Sequence, residues 1–318
     1  MQLYLRGRSH ELNRSLVGMQ TATEYYRSAI ERDSTFALGD VGLALLNELM
    51  AFYDFTAVGP ALDSARRLAQ RAVALDSMLP EAHTALAVTL ADVRDFDTAE
   101  REFKQAIKLG PSNAQAHYWY SMLLVALGRG DEALREADRG LALDPFSPRA
   151  ALGMKRSALY LIKGTRPHLN EPVMEREPIL KLEPGEPWAR AREGAELAEE
   201  GRCADAHSDI LRARQMAPGN NIRMLWYVAT VEWFCGNHAR ARALLAEMKE
   251  RPDAREHGTA IVAFHAQFGE KDSAFVWLGR QRPWTLIHLA FLSADRYMDS
   301  LRSDPRFPQL LRRLAIRK

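Results

Sequence analysis

Apolar and small residues recur along this chain with a period of about 34. Between Pro80 and Ser147 two consecutive segments carry one pattern at fixed offsets: Leu86, Ala87, Ala99, Phe103, Ala106 and Pro111 in the first, and Tyr120, Ser121, Ala133, Ala137, Gly140 and Pro145 in the second. Within each segment apolar positions fall three and four residues apart, which puts them on one face of an α-helix. The spacing predicts a helix A, a turn and an antiparallel helix B. Ala99 and Ala106 mark places where two backbones approach too closely for a larger side chain, Phe103 fills the gap between them, and Pro111 falls just past the end of helix B.

The same pattern, less regular, covers most of the remaining sequence and predicts units at about 3–36, 37–79, 80–113, 114–147, 148–185, 187–220, 222–253 and 255–282. In the first, Leu3 to Leu12 form helix A, with Ala22, Tyr26 and Ala29 in helix B. The small residue of helix B recurs at Ala22, Ala65, Ala99, Ala133, Pro172, Ala206, Ala241 and Ala274, at intervals of 43, 34, 34, 39, 34, 35 and 33. The two long intervals are insertions. One, Ala51 to Pro60, carries Phe52, Tyr53 and Phe55 and is expected to fold back on the first two units, a contact with another domain or subunit being the alternative. The other runs through Pro172 and Pro178, and the second proline predicts a kinked or shortened helix. From Trp284 to Lys318 the period breaks. Ser303, Asp304 and Pro305 open a helix with Phe307, Leu310, Leu311 and Leu314 on one face and Arg312, Arg313 and Arg317 on the other, a suitable cap for a solenoid, with a helix lying on a membrane as the alternative.

These offsets resemble the tetratricopeptide repeat (TPR) family over nearly the whole length, which implies an all-α, right-handed superhelical solenoid of about seven helix-turn-helix units with a C-terminal capping helix at 284–318. More narrowly, the stretches LYLRGRSHELN, AEREFKQAIKLGPSNAQAHYWY and LRSDPRFPQLLRRL resemble the repeat domains of bacterial regulators of the serine/threonine kinase, adenylate cyclase and winged-helix activator types. That resemblance implies a partner-binding module in signal transduction or transcriptional regulation, cut from a longer protein. It places the chain in the cytoplasm or, as the alternative, outside it in a membrane-anchored regulator.

Composition narrows the function classes. With 43 basic and 41 acidic residues the formal net charge is +2, so no global field favours nucleic acid or an anionic membrane. The longest apolar runs, such as Met122 to Leu127 and Thr285 to Leu292, are far short of a membrane span. Cys203 and Cys235 are too few for a disulfide framework; they lie about one repeat apart near successive A-to-B turns, so a bond is geometrically conceivable, but ordinary buried thiols are the expectation.

Helix A residues facing away from helix B line the concave side of such a solenoid, and here they are rich in aromatics. The predicted partner-binding groove holds Tyr118, Trp119, Met122, Arg156, Tyr160, Trp188, Arg192, Trp226, Tyr227, Trp233 and Phe234. Rings and Arg side chains of this kind dominate interface energetics, and Arg156 and Arg192 suit acidic groups on a bound protein or peptide. The competing reading packs the rings between neighbouring A helices. The carboxylate clamp of chaperone-tail binders is not reproduced, since its positions carry Thr84, Val88, Trp119, Gln115 and other non-clamp residues. Helical-repeat RNA binding is a second class, a small-ligand sensor domain a third, and a homodimer a further partner expectation. No catalytic residue, cofactor or metal site is assigned: His10-Glu11 starts a zinc-helix pattern that Arg14 breaks, His257 and His265 are too far apart for a ligand pair, and Arg129-Gly130-Asp131 sits in a turn that favours those residue types.

Overall fold

The computed structural model describes residues 1–12, 14–53, 55–145, 148–163, 187–217, 221–252, 254–255, 258–280, 285–294 and 296–314, and among them no strand occurs. Consecutive helices pair antiparallel: α1 (Gln2–Glu11) with α2 (Leu16–Arg32), α3 (Ala37–Phe52) with α4 (Val58–Leu75), α5 (Pro80–Asp92) with α6 (Phe96–Leu109), and α7 (Ala114–Ala126) with α8 (Gly130–Leu143). α9 (Pro148–Lys163) packs on α8. Three further pairs follow: α10 (Pro187–Glu199) with α11 (Cys203–Met216), α12 (Ile222–Phe234) with α13 (His238–Glu250), and α14 (Thr259–Gln267) with α15 (Lys271–Arg280). The C-terminal part holds α16 (Leu286–Ala294), a single 3-10 turn at Arg296–Met298, α17 (Asp299–Arg302) and α18 (Arg306–Arg313). The bend expected at Pro172 and Pro178 lies outside the described residues, as do Trp284, His257 and Arg317.

Local chemistry sets the element ends. Ser15, Asp95, Asn113 and Asn221 each accept a hydrogen bond from the backbone N–H three residues on, at 2.8–3.2 Å, which satisfies an amide that has no partner inside its helix. Among the described residues, six A-to-B turns contain a residue with positive φ. Gly128, Gly201, Gly236 and Gly269 supply it in four, but in the first and third units the slot holds Arg14 at φ 47° and Arg94 at φ 65°, a conformation that costs a side-chain-bearing residue about 1 kcal/mol or more.

Packing follows the repeat. Ala99, Phe103 and Ala106 are fully enclosed, and the Phe103 ring stacks on Tyr120 of the next unit at 5.7 Å. A bracing pair also repeats. The fourth residue of three A helices bonds a carboxylate nineteen residues later on helix B: His83 to Glu102 at 2.6 Å, His117 to Glu136 at 2.6 Å and Arg190 to Asp209 at 2.9 Å. The second ring nitrogens of His83 and His117 meet the Ser77 and Pro111 carbonyls, tying each brace to the preceding turn. Arg129, from the Arg-Gly-Asp triplet, is committed in the same structural way, donating to Glu100 and Glu132 at 2.6 Å. Burial alone would raise the Glu100 carboxyl, but its bonds from Arg129, Lys104 and Tyr120 outweigh that and hold it at about 2.

Phe103→Ala is expected to lower stability by about 3–5 kcal/mol through lost burial and an unfilled cavity, read as a lower urea midpoint at unchanged slope.

Candidate partner-binding surface

The superhelix closes on itself. Trp188 of α10 stacks on Tyr53 at 5.2 Å and donates its indole N–H to the Arg14 carbonyl at 3.1 Å, so the sixth unit of the array meets the first two. Arg223 of α12 lies 3.8 Å over the Phe52 ring and donates to the Phe52 carbonyl, while Asn221 donates to the Tyr53 carbonyl. The expectation that the insertion Ala51 to Pro60 folds back on the first two units is therefore corrected: its rings meet Trp188, Arg223, His288 and Phe291 from the far part of the chain. α3 extends through Phe52, and the rings span the closing seam, because curvature brings the far units opposite.

The closed array has an occupant. α16 lies along the A helices α5, α7 and α9, and nearly all of its side chains are buried. Its first amide, Leu286 N–H, donates to Asp92 at 2.7 Å, and near its other end Ser293 donates to the Ala126 carbonyl at 2.8 Å. Phe52 packs against His288 and Phe291. The following turn continues across the concave side: Tyr297 stands edge-on to Trp226 at 5.1 Å, Ser300 donates to the Ala266 carbonyl, and Tyr160 donates to Asp299. Only α18 leaves the groove for the end of the array, where Arg306 pairs with Asp272 and covers the Phe275 ring.

The residues proposed from sequence fall into three environments. Trp119, Met122, Trp188, Trp226 and Tyr227 are buried, and the indole N–H groups of Trp119 and Trp226 have no hydrogen-bond partner. Tyr118, Tyr160 and Arg192 are half-buried, with Arg302 over the Tyr160 ring at 4.9 Å. The Arg156 side chain lies outside the described residues. Trp233 and Phe234 form a separate group at the edge carrying the A-to-B turns, Phe234 being 41% exposed and Trp233 half-buried.

That edge holds the most exposed ring of the set, Phe234. Trp233 meets Phe268 of the next turn at 3.6 Å and His238 at 4.2 Å, with Arg242 over its face at 5.7 Å. Arg242 also donates to Glu270, which in turn holds the buried His265 ring at 2.6 Å. Burial pushes His265 below its ordinary range despite that carboxylate. Beside Trp233 the two cysteines are joined: Cys203 and Cys235 form a disulfide with Cα atoms 5.6 Å apart. The expectation of two free thiols is thus corrected. A separation of 32 residues is close to one repeat, so the residues occupy equivalent places on stacked neighbours. Among the described residues no group of three or more His, Cys, Asp or Glu could hold a metal ion, and no helix is long and apolar enough to cross a membrane.

Residues 84–148 match the tetratricopeptide repeat family. The fold is that of a TPR solenoid. A monomeric mutant of IFIT1 with Gppp-AAAA is similar in fold, at TM-score 0.59 and 12% identity over 93% of this chain and 68% of that one. Yeast Tom70 gives 0.47 and 16% identity over 98% and 67%, and PilF of Pseudomonas aeruginosa 0.47 and 18% over 72% and 97%. No curated protein matches the sequence. At such identities the likeness concerns the TPR fold alone.

Leu289, wholly enclosed in α16, should behave as core: Leu289→Ala is expected to cost about 2–5 kcal/mol in urea unfolding, whereas the exposed Val17→Ala should stay within about 0.5 kcal/mol.

Proposed function

We propose that this TPR solenoid is a non-catalytic protein-interaction scaffold that docks a partner peptide or domain on the accessible end of its aromatic surface, at Trp233 and Phe234, within a bacterial signalling or transcription-regulatory system. The observation that carries this reading is the exposure of Phe234 beside Trp233 while the other indole rings of the set are covered by the chain itself. A ring pair flanked by Arg242 suits a partner that offers an apolar side chain next to an acidic one. Fixed turns on both sides reduce the ordering that docking would require. Helical-repeat RNA binding has less support. α16 fills the concave side, where an oligonucleotide would lie, and the net charge is close to neutral.

The disulfide bears on location. Such bonds persist in oxidising compartments, which favours the extracytoplasmic of the two placements considered from sequence. Chain purified without reductant should show no titratable thiol, and reduction should cost about 3 kcal/mol of stability for a closed loop of this size. Two free thiols in the chain isolated from its own cells would count against that placement.

The docking reading is tested by affinity capture from the source cells with the native chain, a Trp233→Ala, Phe234→Ala variant and a Leu5→Ala surface control. A partner held by the native chain and the control but lost by the double variant is the expected outcome. Equal capture by all three removes the turn edge as the site.

A further inference from the structure

Glu48 of α3 and Asp92 of α5 are both buried where these helices meet the amino end of α16. Two other buried carboxylates face cations: Glu11 has Arg8 and Arg14, and Asp40 has Arg71. The Glu48 side chain instead hydrogen-bonds Asp92, and one oxygen of each, Glu48 Oε1 and Asp92 Oδ2, has no hydrogen-bond partner. Asp92 Oδ1 takes the Leu286 N–H, an amide that helix geometry leaves without an internal partner. Arg94, in its left-handed turn conformation, acts on Asp92; His288 of α16 is held through Nδ1 by Thr285; and Arg223 of α12 sits over Phe52. Two carboxylates this close and this dry cannot both carry charge without strong repulsion, so a carboxyl proton has to bridge them.

We propose that the Glu48–Asp92 pair is a proton-operated latch on α16: while the pair keeps a shared proton it receives the amino end of the helix, and when both carboxyls are ionised that end is released and the concave rings become accessible. The shared proton lets Glu48 donate to Asp92 while Asp92 accepts from Glu48 and from Leu286. Removing it leaves two facing anions with no donor between them.

Burial raises both groups, Asp92 to about 7 and Glu48 well above the ordinary carboxylate range. The folded chain thus holds protons that the unfolded chain has already released. The latch contributes its stability in full at low pH and loses it as pH rises through neutrality and beyond. Carboxylates held low by Arg partners, such as Glu100 and Asp304, titrate far below this window. Lys249, lowered by burial, approaches it from the alkaline side but lies on α13.

The test is amide hydrogen exchange of the full chain at a series of values from about pH 6 to about pH 9.5, corrected for intrinsic rates. Protection of the α16 amides is expected to fall roughly tenfold or more in the native chain while α12 and α13 hold theirs, and to change less than about twofold in Glu48→Gln, which cannot ionise. If Glu48→Gln fails to fold, Asp92→Asn carries the same comparison, because it too leaves a single ionisable group. Constant α16 protection in the native chain, or an equal fall in the variant, overturns the latch.

Discussion

A helix with apolar side chains on every face cannot remain in water, and Leu286–Ala294 is such a helix, interrupted only by His288 and Ser293. Its burial requires a surface that wraps around it. The A helices of the repeat provide one, because a TPR array curves and turns that face inward. Once α16 lies against α5, α7 and α9, the far units come within reach of the second, and Tyr53, Trp188 and Arg223 complete the seam. Curvature, seam and occupant therefore depend on one another. A solenoid whose repeats contact only their neighbours becomes in this chain a structure with contacts between residues far apart in sequence, such as Asn221 with Tyr53.

Much of the fold was legible in the sequence because each unit is local. The offsets of Ala99, Phe103 and Ala106 report a helix-helix contact made within 34 residues or so, and the structure buries all three. What sequence reasoning missed was long-range. A ring on helix A reads identically whether it lines an open groove or lies beneath another helix, so Trp119 and Trp226 could not be separated from Phe234 by their offsets. The signal for the occupant was present in the run Thr285 to Leu292, which is too short for a membrane and too apolar for a surface cap. The brace at His83, His117 and Arg190 was legible too, since each has an acid nineteen residues on.

This division shapes the functional reading. The chain itself covers Trp119, Trp188 and Trp226, so the proposed docking site is the turn edge, where Trp233, Phe234 and Arg242 stand beside the disulfide. The buried carboxyl pair stands at the one end of α16 where a helix needs an acceptor, and a hydrophobic pair of similar size could not supply it. Polar chemistry there aligns the helix, while apolar burial holds it.

Closure of the array around its own C-terminal helix is the central claim, and small-angle X-ray scattering of the full chain in solution tests it most directly. A compact particle of this length should give a radius of gyration of about 20 Å with a symmetric distance distribution. A value of roughly 25 Å or more with a long tail in that distribution, the profile of an open solenoid, would contradict it.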